Sequence, residues 1–412
     1  MPNIAVMNER NLHIVFATSE PKTANRMLKS INESLPNHIL SIAALFIGQG
    51  SAVDLSRFCL PVTCIGTYKD YLSIAESRNL CQAYLQKAMR ESGGLGLVLD
   101  DDLRWIMPET EFESLCEQLS SKGCGMAFSA LTGDAPVPKE YTRASPLLDV
   151  LLDIRNNDSS PAVSKIIDFI KGVNVVGEMS SEINCHHDYY AYDKNSFYKA
   201  PISIESLEWN DFFNRLYVGR KTTRPILTPS KVTPATGRER GGATLIFNSS
   251  VLNYSNQTIQ CGCFISRRSD MIMATSAKNG GYVLFNTPAV LSHNRSNSFD
   301  SHDSRKLIGD ILGYALVESS SFGVYSAHKF SINLSNRLIS TVAILQETSI
   351  MLILLRDWLR ERRNTNSEIE GIIKNMVLEN SNTVLDIQSL DVTTALIAFK
   401  YFTDSYLLKK VG

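Results

Sequence analysis

Leu95-Gly96-Leu97-Val98-Leu99-Asp100-Asp101-Asp102-Leu103-Arg104-Trp105 is the stretch whose reading decides the fold. A short apolar run ending in three consecutive carboxylates is the pattern of a buried parallel strand whose C-terminal end opens into a crevice, where ligands of open α/β sheets bind. Three adjacent acids at such a place ask for a cation. Hard oxygen ligands suit Mg²⁺ or Mn²⁺, held by one or two carboxylates together with substrate phosphates, because Mg²⁺ keeps most of its water. The plainer reading is a solvated acidic turn or helix start, where Asp is common for capping and dipole reasons.

Outward from this strand, apolar runs and helical spacings alternate. Leu12 to Phe16 reads as a strand and Ala17 to Pro21 as a turn into a helix over Ala24 to Leu35, with Met27, Leu28, Ile31 and Leu35 on one face. Ile39 to Ile47 and Val62 to Ile65 are further strands, and Ser77 to Ser92 a helix leading back to the acidic strand. Such alternation predicts a parallel sheet with right-handed crossovers. From about 130 to 235 the pattern loosens into prolines, the polar Asn156 to Ser160 and the aromatic Tyr189-Tyr190-Ala191-Tyr192, which reads as helices and loops covering one face of the sheet. Beyond about 303 the spacing is helical, with runs near 304–318, 336–362, 366–379 and 389–409, and predicts a separate helical bundle.

Composition narrows the classes. The 412 residues allow two or three domains, and 41 Lys and Arg against 42 Asp and Glu give no charge excess that would ask for nucleic acid as a partner. The eight cysteines include no paired C-x-x-C spacing and read as reduced thiols. The N-terminal run lacks a basic segment followed by a long apolar one, so it does not read as a signal peptide. Leu338 to Leu355, the most apolar stretch, holds Gln346, Glu347 and several hydroxyls, which favours a buried helix over a membrane span. A cytoplasmic protein without a transmembrane segment is the expectation; oligomeric state is not legible.

Ser73-Ile-Ala-Glu-Ser-Arg78-Asn79-Leu80, followed at short distance by Asp100-Asp101-Asp102, resembles the GT-A glycosyltransferases, particularly those related to the inverting family 2. Arg240-Gly241-Gly242, Ser266-Arg267-Arg268-Ser269-Asp270, Gly280-Gly281 and Leu291-Ser-His293-Asn294-Arg295 continue the resemblance in order through residue 300 or so. It implies a GT-A, Rossmann-like α/β domain over 1–303 with a large insertion at about 130–235, then an α-helical domain over 304–412. It also implies a metal-dependent transfer of a sugar from a nucleotide-diphosphate donor to an acceptor hydroxyl with inversion. In that reading Thr18, Arg78, Asp100 and Asp101 contact the nucleotide, Asp102 and His293 hold Mn²⁺ or Mg²⁺, and Asp270 is the general base. Arg267 and Arg268 stand ready for a phosphate or carboxylate on the acceptor.

The chain departs from that family in three ways. Phe46-Ile47-Gly48-Gln49-Gly50 lacks the acid that relatives carry after the second strand, which leaves the nucleobase open. The insertion is unusual in size. It also holds a rival base, Glu208 or Asp211 in Glu208-Trp209-Asn-Asp211, whose plainer reading is an amphipathic helix with Leu207, Phe212 and Leu216 inward. A nucleotidyltransferase or phosphohydrolase using the same acids, and a non-catalytic nucleotide-binding scaffold, are the competing classes.

Overall fold

The computed structural model describes residues 11–48, 53–70, 72–172, 202–223, 228–239, 243–295, 303–321 and 323–411. The chain is a mixed α/β protein with a mostly parallel central sheet and C-terminal helices. Four strands run parallel at one side: β1 (Leu12–Thr18), β2 (Ile39–Ile47), β3 (Thr63–Tyr68) and β4 (Leu95–Asp100). Their order, β3-β2-β1-β4, reverses direction between β1 and β4. That reversal opens a crevice at the carboxyl ends of those two strands.

Beyond β4 the sheet continues through β8 (Ala243–Ile246), β6 (Cys124–Gly133), β11 (Val283–His293) and the short β5 (Leu103–Trp105). Here the expectation of a parallel sheet needs correcting. β8 lies antiparallel between β4 and β6, and β5 and β7 (Thr233–Pro234) run antiparallel to β11. β8 is only four residues and buried on both faces, so its sequence carries no alternation from which direction can be read. β11 runs on through Pro288 because its register with β6 shifts between Thr287 and Leu291, the irregularity at which a sheet tolerates a missing N–H.

Helices α1 (Pro21–Ser34), α2 (Ile74–Ser92) and α3 (Glu109–Ser121) cover the sheet. α2 begins on a reciprocal cap: the Ser73 hydroxyl accepts from the Glu76 amide, and the Glu76 carboxylate accepts from the Ser73 amide. This fixes the helix start, and with it Arg78, at the mouth of the crevice.

The inserted segment supplies α4 (Ala144–Asn157), α5 (Pro161–Gly172) and α6 (Trp209–Val218); Tyr189 to Tyr192 and the Gly241-Gly242 pair lie outside the described residues. After α7 (Ser269–Asn279) and β11 come α8 (Ser304–Glu318), α9 (Ala327–Glu361), α10 (Ser367–Gln388) and α11 (Val392–Val411). Among the described residues these last helices share their apolar clusters with the rest of the chain. Leu147, Leu151 and Phe213 of the insertion share one apolar cluster with Leu352, Leu355 and Met376. Tyr141, Met271 and Ile272 share another with Leu307, Ile311, Phe330 and Phe399. The boundary expected at 303 therefore cuts through two common cores. α8 is buried along nearly its whole length, including Gly313, where a Cβ would collide with the carbonyl of Arg267.

α9 is long and apolar enough to cross a membrane, and 39% of its most apolar window is buried inside the protein. Its inward face carries Leu334, Ile344, Leu345, Met351, Leu352 and Leu355. Among the described residues the cysteines are free thiols.

Candidate functional site

A cavity of about 640 Å³ opens at the carboxyl ends of β1 and β4. Thr18, Arg78, Asp100, Asp101, Asp102 and His293 all line it. Six of the seven residues singled out from the sequence are thus brought together, although they come from positions as far apart as 18 and 293.

The geometry follows from strand register. Asp100 is the last residue of β4 and pairs with Ala17, so the acidic turn lies beside Thr18 at the end of β1. The Thr18 hydroxyl donates to Asp101 Oδ2 at 2.5 Å. On the other side Leu103 pairs antiparallel with His293, which sets Asp102 next to the histidine ring. His293 also pairs with Gly133, whose φ is +84° and where a Cβ would strike the His293 carbonyl, so only glycine admits this approach.

His293 Nε2 lies 2.9 Å from Asp102 Oδ2, and Nδ1 lies 2.8 Å from the Asp134 carbonyl oxygen. That carbonyl can only accept, so Nδ1 carries the proton and Nε2 faces the acid. A histidine whose far nitrogen is fixed on a backbone carbonyl is the usual arrangement of a metal ligand. Burial disfavours the imidazolium, but the hydrogen bond and charge of Asp102 outweigh it and hold the His293 pKa above its ordinary value. Burial likewise works against the Asp102 carboxylate, and His293 outweighs that too, holding its pKa low.

The neighbouring acids lack such relief. Burial, with Asp102 and Asp100 close by, pushes Asp101 up to about 6 against the pull of the Thr18 hydroxyl. Burial also raises Asp100, against the attraction of Arg78, although 49% of its side chain is open to the cavity. Like charges raising one another's pKa are what a bound cation would relieve. The donor set, carboxylate and imidazole with room for phosphate oxygens, fits Mn²⁺ or Mg²⁺.

Asp270 is placed differently from the other six. It sits in the first turn of α7, 14% exposed, outside the cavity lining, with Oδ2 at 3.1 Å from Arg78 Nη1. Arg78 Nη2 reaches Asp100 Oδ1 at 3.4 Å, so one guanidinium bridges the crevice acid and the acid behind it. The rivals do not line the cavity. Asp211 is 66% exposed and pairs with Arg215 on its own helix, and Glu208 is exposed at the start of that helix. The amphipathic reading of this helix matches the structure, with Phe212, Phe213 and Leu216 buried.

Of the paired arginines, Arg267 lines the cavity whereas Arg268 turns inward to Asp310 at 2.5 Å and lies over the Tyr314 ring. Sequence reasoning missed Lys139 and Tyr217, which line the cavity, and Asp134, whose carboxylate accepts from the amides of Lys221 and Arg295 at 2.8 Å each. Lys139 follows Pro136-Val137-Pro138 in a stretch without periodicity, so no local signal marks it.

No family model and no curated protein matches the chain. Among solved structures it is similar to the crystal structure of S. aureus TarS 1-349, with a TM-score of 0.36 and 8% identity over 92% of this chain and 90% of that one. A superposition that loose carries no inference about chemistry.

Proposed function

We propose that the chain is a metal-dependent glycosyltransferase that moves a sugar from a nucleotide-diphosphate donor to an acceptor hydroxyl with inversion. The observation that supports this reading best is the pairing of Asp102 with a carbonyl-anchored His293 at the end of the acidic strand, inside a cavity at the reversal of strand order. Asp102 and His293 would hold Mn²⁺ or Mg²⁺, which as a Lewis acid stabilises the charge that grows on a departing nucleoside diphosphate.

The chain's own groups have defined tasks in this reading. Asp100 and Asp101 accept hydrogen bonds from the donor's hydroxyls, and Thr18 orients Asp101. Arg78 contacts a donor phosphate. Because Arg78 also binds Asp270, the arginine links the donor phosphate to that carboxylate, which in this reading takes the proton of the acceptor hydroxyl. General-base assistance of this kind is worth about 10²–10⁴-fold.

The test is release of nucleoside diphosphate from a panel of sugar nucleotides with Mn²⁺ present. A transferase releases nucleoside diphosphate with a metal requirement. Release of pyrophosphate or of inorganic phosphate instead would assign the acids to a nucleotidyltransferase or a phosphohydrolase. No release from any donor, with nucleotide binding intact, would leave a binding scaffold.

A further inference from the structure

Besides Asp100, Asp101 and Asp102 with their neighbour Arg78, the cavity is lined by four further cations, Lys139, Arg267, Arg295 and Lys306, and by two further acids, Glu140 and Asp303. Glu140 is buried and engaged, and the Asp303 carboxylate accepts from Arg305 Nε at 2.8 Å and from the Arg305 amide.

Two of the four cations are built by the same device. Glu379 of α10 is buried and shared: it takes Arg143 at 2.8 Å and Lys139 at 3.0 Å. Arg143 is fully buried and lies over the Tyr217 ring, whereas Lys139 reaches the cavity. Asp310 of α8 is likewise buried and shared, by Arg268 at 2.5 Å and Arg267 at 3.3 Å. Arg268 lies over the Tyr314 ring, 9% exposed, whereas Arg267 reaches the cavity. In each set one carboxylate faces two cations. A guanidinium with no access to water needs that carboxylate in full, since leaving a buried charge unpaired is the costly outcome. The cavity-facing partner therefore keeps a net positive charge while its position is fixed from behind.

We infer that these cavity cations, Lys139 and Arg267 above all, receive an acceptor carrying a phosphate or carboxylate beside the hydroxyl that is glycosylated. Assigning the anion to the acceptor rests on the transferase reading above; the charge of these cations does not. The alternative source of an anion in this cavity is the donor's own diphosphate.

The full chain is titrated by calorimetry with glucose 6-phosphate, glucuronate and, as neutral control, glucose, with and without saturating UDP and Mn²⁺. The expected result is that one or both anionic probes bind the UDP-loaded chain at least about tenfold more tightly than glucose. Arg267→Gln, and Lys306→Glu at an exposed position that does not endanger folding, should each weaken that binding by about fivefold or more while UDP affinity stays within twofold. Equal affinity for glucose overturns the proposal. Competition between the probes and UDP also overturns it, by assigning these cations to the donor diphosphate. If UDP fails to bind while the anionic probes bind and respond to both substitutions, the anion site stands and the donor reading falls.

Discussion

The two parts of the cavity lining are made in opposite ways. The acidic end comes from three successive residues at the tip of one strand, positioned by backbone register with β1 and β11. The cationic part comes from Lys139, Arg267, Arg295 and Lys306, scattered over much of the chain; Lys139 and Arg267 are held by Glu379 and Asp310 on helices that follow residue 303, and Arg295 by the carbonyls of Ala135 and Val137. Backbone register places a side chain wherever the strand forms, so the acidic end tolerates change in its neighbours. A side chain placed through a buried ion pair depends on the helix behind it. The sheet end should therefore fail chemically when altered, and the cationic part should fail structurally.

Removing the helices is the largest perturbation. A 1–303 truncation leaves Leu147, Leu151, Phe213 and Met271 facing water where Leu352, Leu355, Leu307 and Ile311 had been. Each large apolar side chain so exposed costs about 1.5–3 kcal/mol, and several together are comparable with the roughly 5–15 kcal/mol that holds a typical domain folded. The expected outcome is an insoluble or molten product that lacks near-UV circular dichroism. A soluble 1–303 with native near-UV signal would show that the sheet half stands alone and would dissolve the contrast.

At the acidic end the counterpart is Asp102→Asn. It keeps the shape of the side chain and leaves His293 anchored on the Asp134 carbonyl, but it removes the charge that a hard cation needs. Mn²⁺-dependent affinity for UDP should be lost, and the melting temperature should move by no more than a few degrees, since the Asp102 side chain is half-buried and His293 keeps its anchor on the Asp134 carbonyl. Unchanged Mn²⁺-dependent affinity in calorimetry would remove Asp102 from the metal site.

A smaller effect separates the candidate bases. Asp270→Asn should lower kcat by about 10²-fold with little change in donor KM, whereas Asp211→Asn stays within a few-fold of the parent. The contrast rests on placement: Asp270 is bound to a cavity arginine, and Asp211 is 66% exposed, pairs with Arg215 and does not line the cavity. The reverse ranking in a steady-state assay would put the base in the insertion.

What was legible in the sequence follows the same division. Leu95 to Asp102 could be read because its burial, direction and chemistry are all encoded within eight neighbouring residues. His293 was found through a resemblance, and its ring is set by cross-strand pairing with Leu103. β8 kept its direction hidden, being short and buried on both faces, and β11 was read only in pieces because Pro288 breaks an otherwise apolar run. Lys139 and Tyr217 were not legible, since their roles depend on Glu379, which lies 240 residues beyond Lys139. After 303 the run 304–318 coincides with α8, but the run from 336 starts well inside α9 (Ala327–Glu361) and the run to 379 stops short of the end of α10 (Ser367–Gln388); periodicity also shows only that a face is apolar, not which other face covers it.

The finest test of the helical part is a pH profile. Asp158 joins the insertion to α9: Trp358 Nε1 donates to its carboxylate at 2.6 Å, the Ser160 amide donates at 2.9 Å, and Arg362 pairs with it. Burial would raise its pKa, but these hydrogen bonds win and bring it down to about 2. The ordinary Asp value is near 3.9, so the unfolded chain takes up this proton first as the pH falls. Stability from this group is therefore complete above about pH 4 and drains away between about pH 4 and 2, amounting to roughly 1–2 kcal/mol at neutral pH. Asp158→Asn should cost that amount at pH 7 and should flatten the decline in urea-unfolding stability between about pH 4 and 2 relative to the parent. Its amide cannot accept from Trp358, Ser160 and Arg362 together, so little of the loss should be recovered. Parallel stability curves for variant and parent across that range would show that the acid is no such staple, and would remove one of the contacts through which the helices that follow residue 303 are held to the insertion.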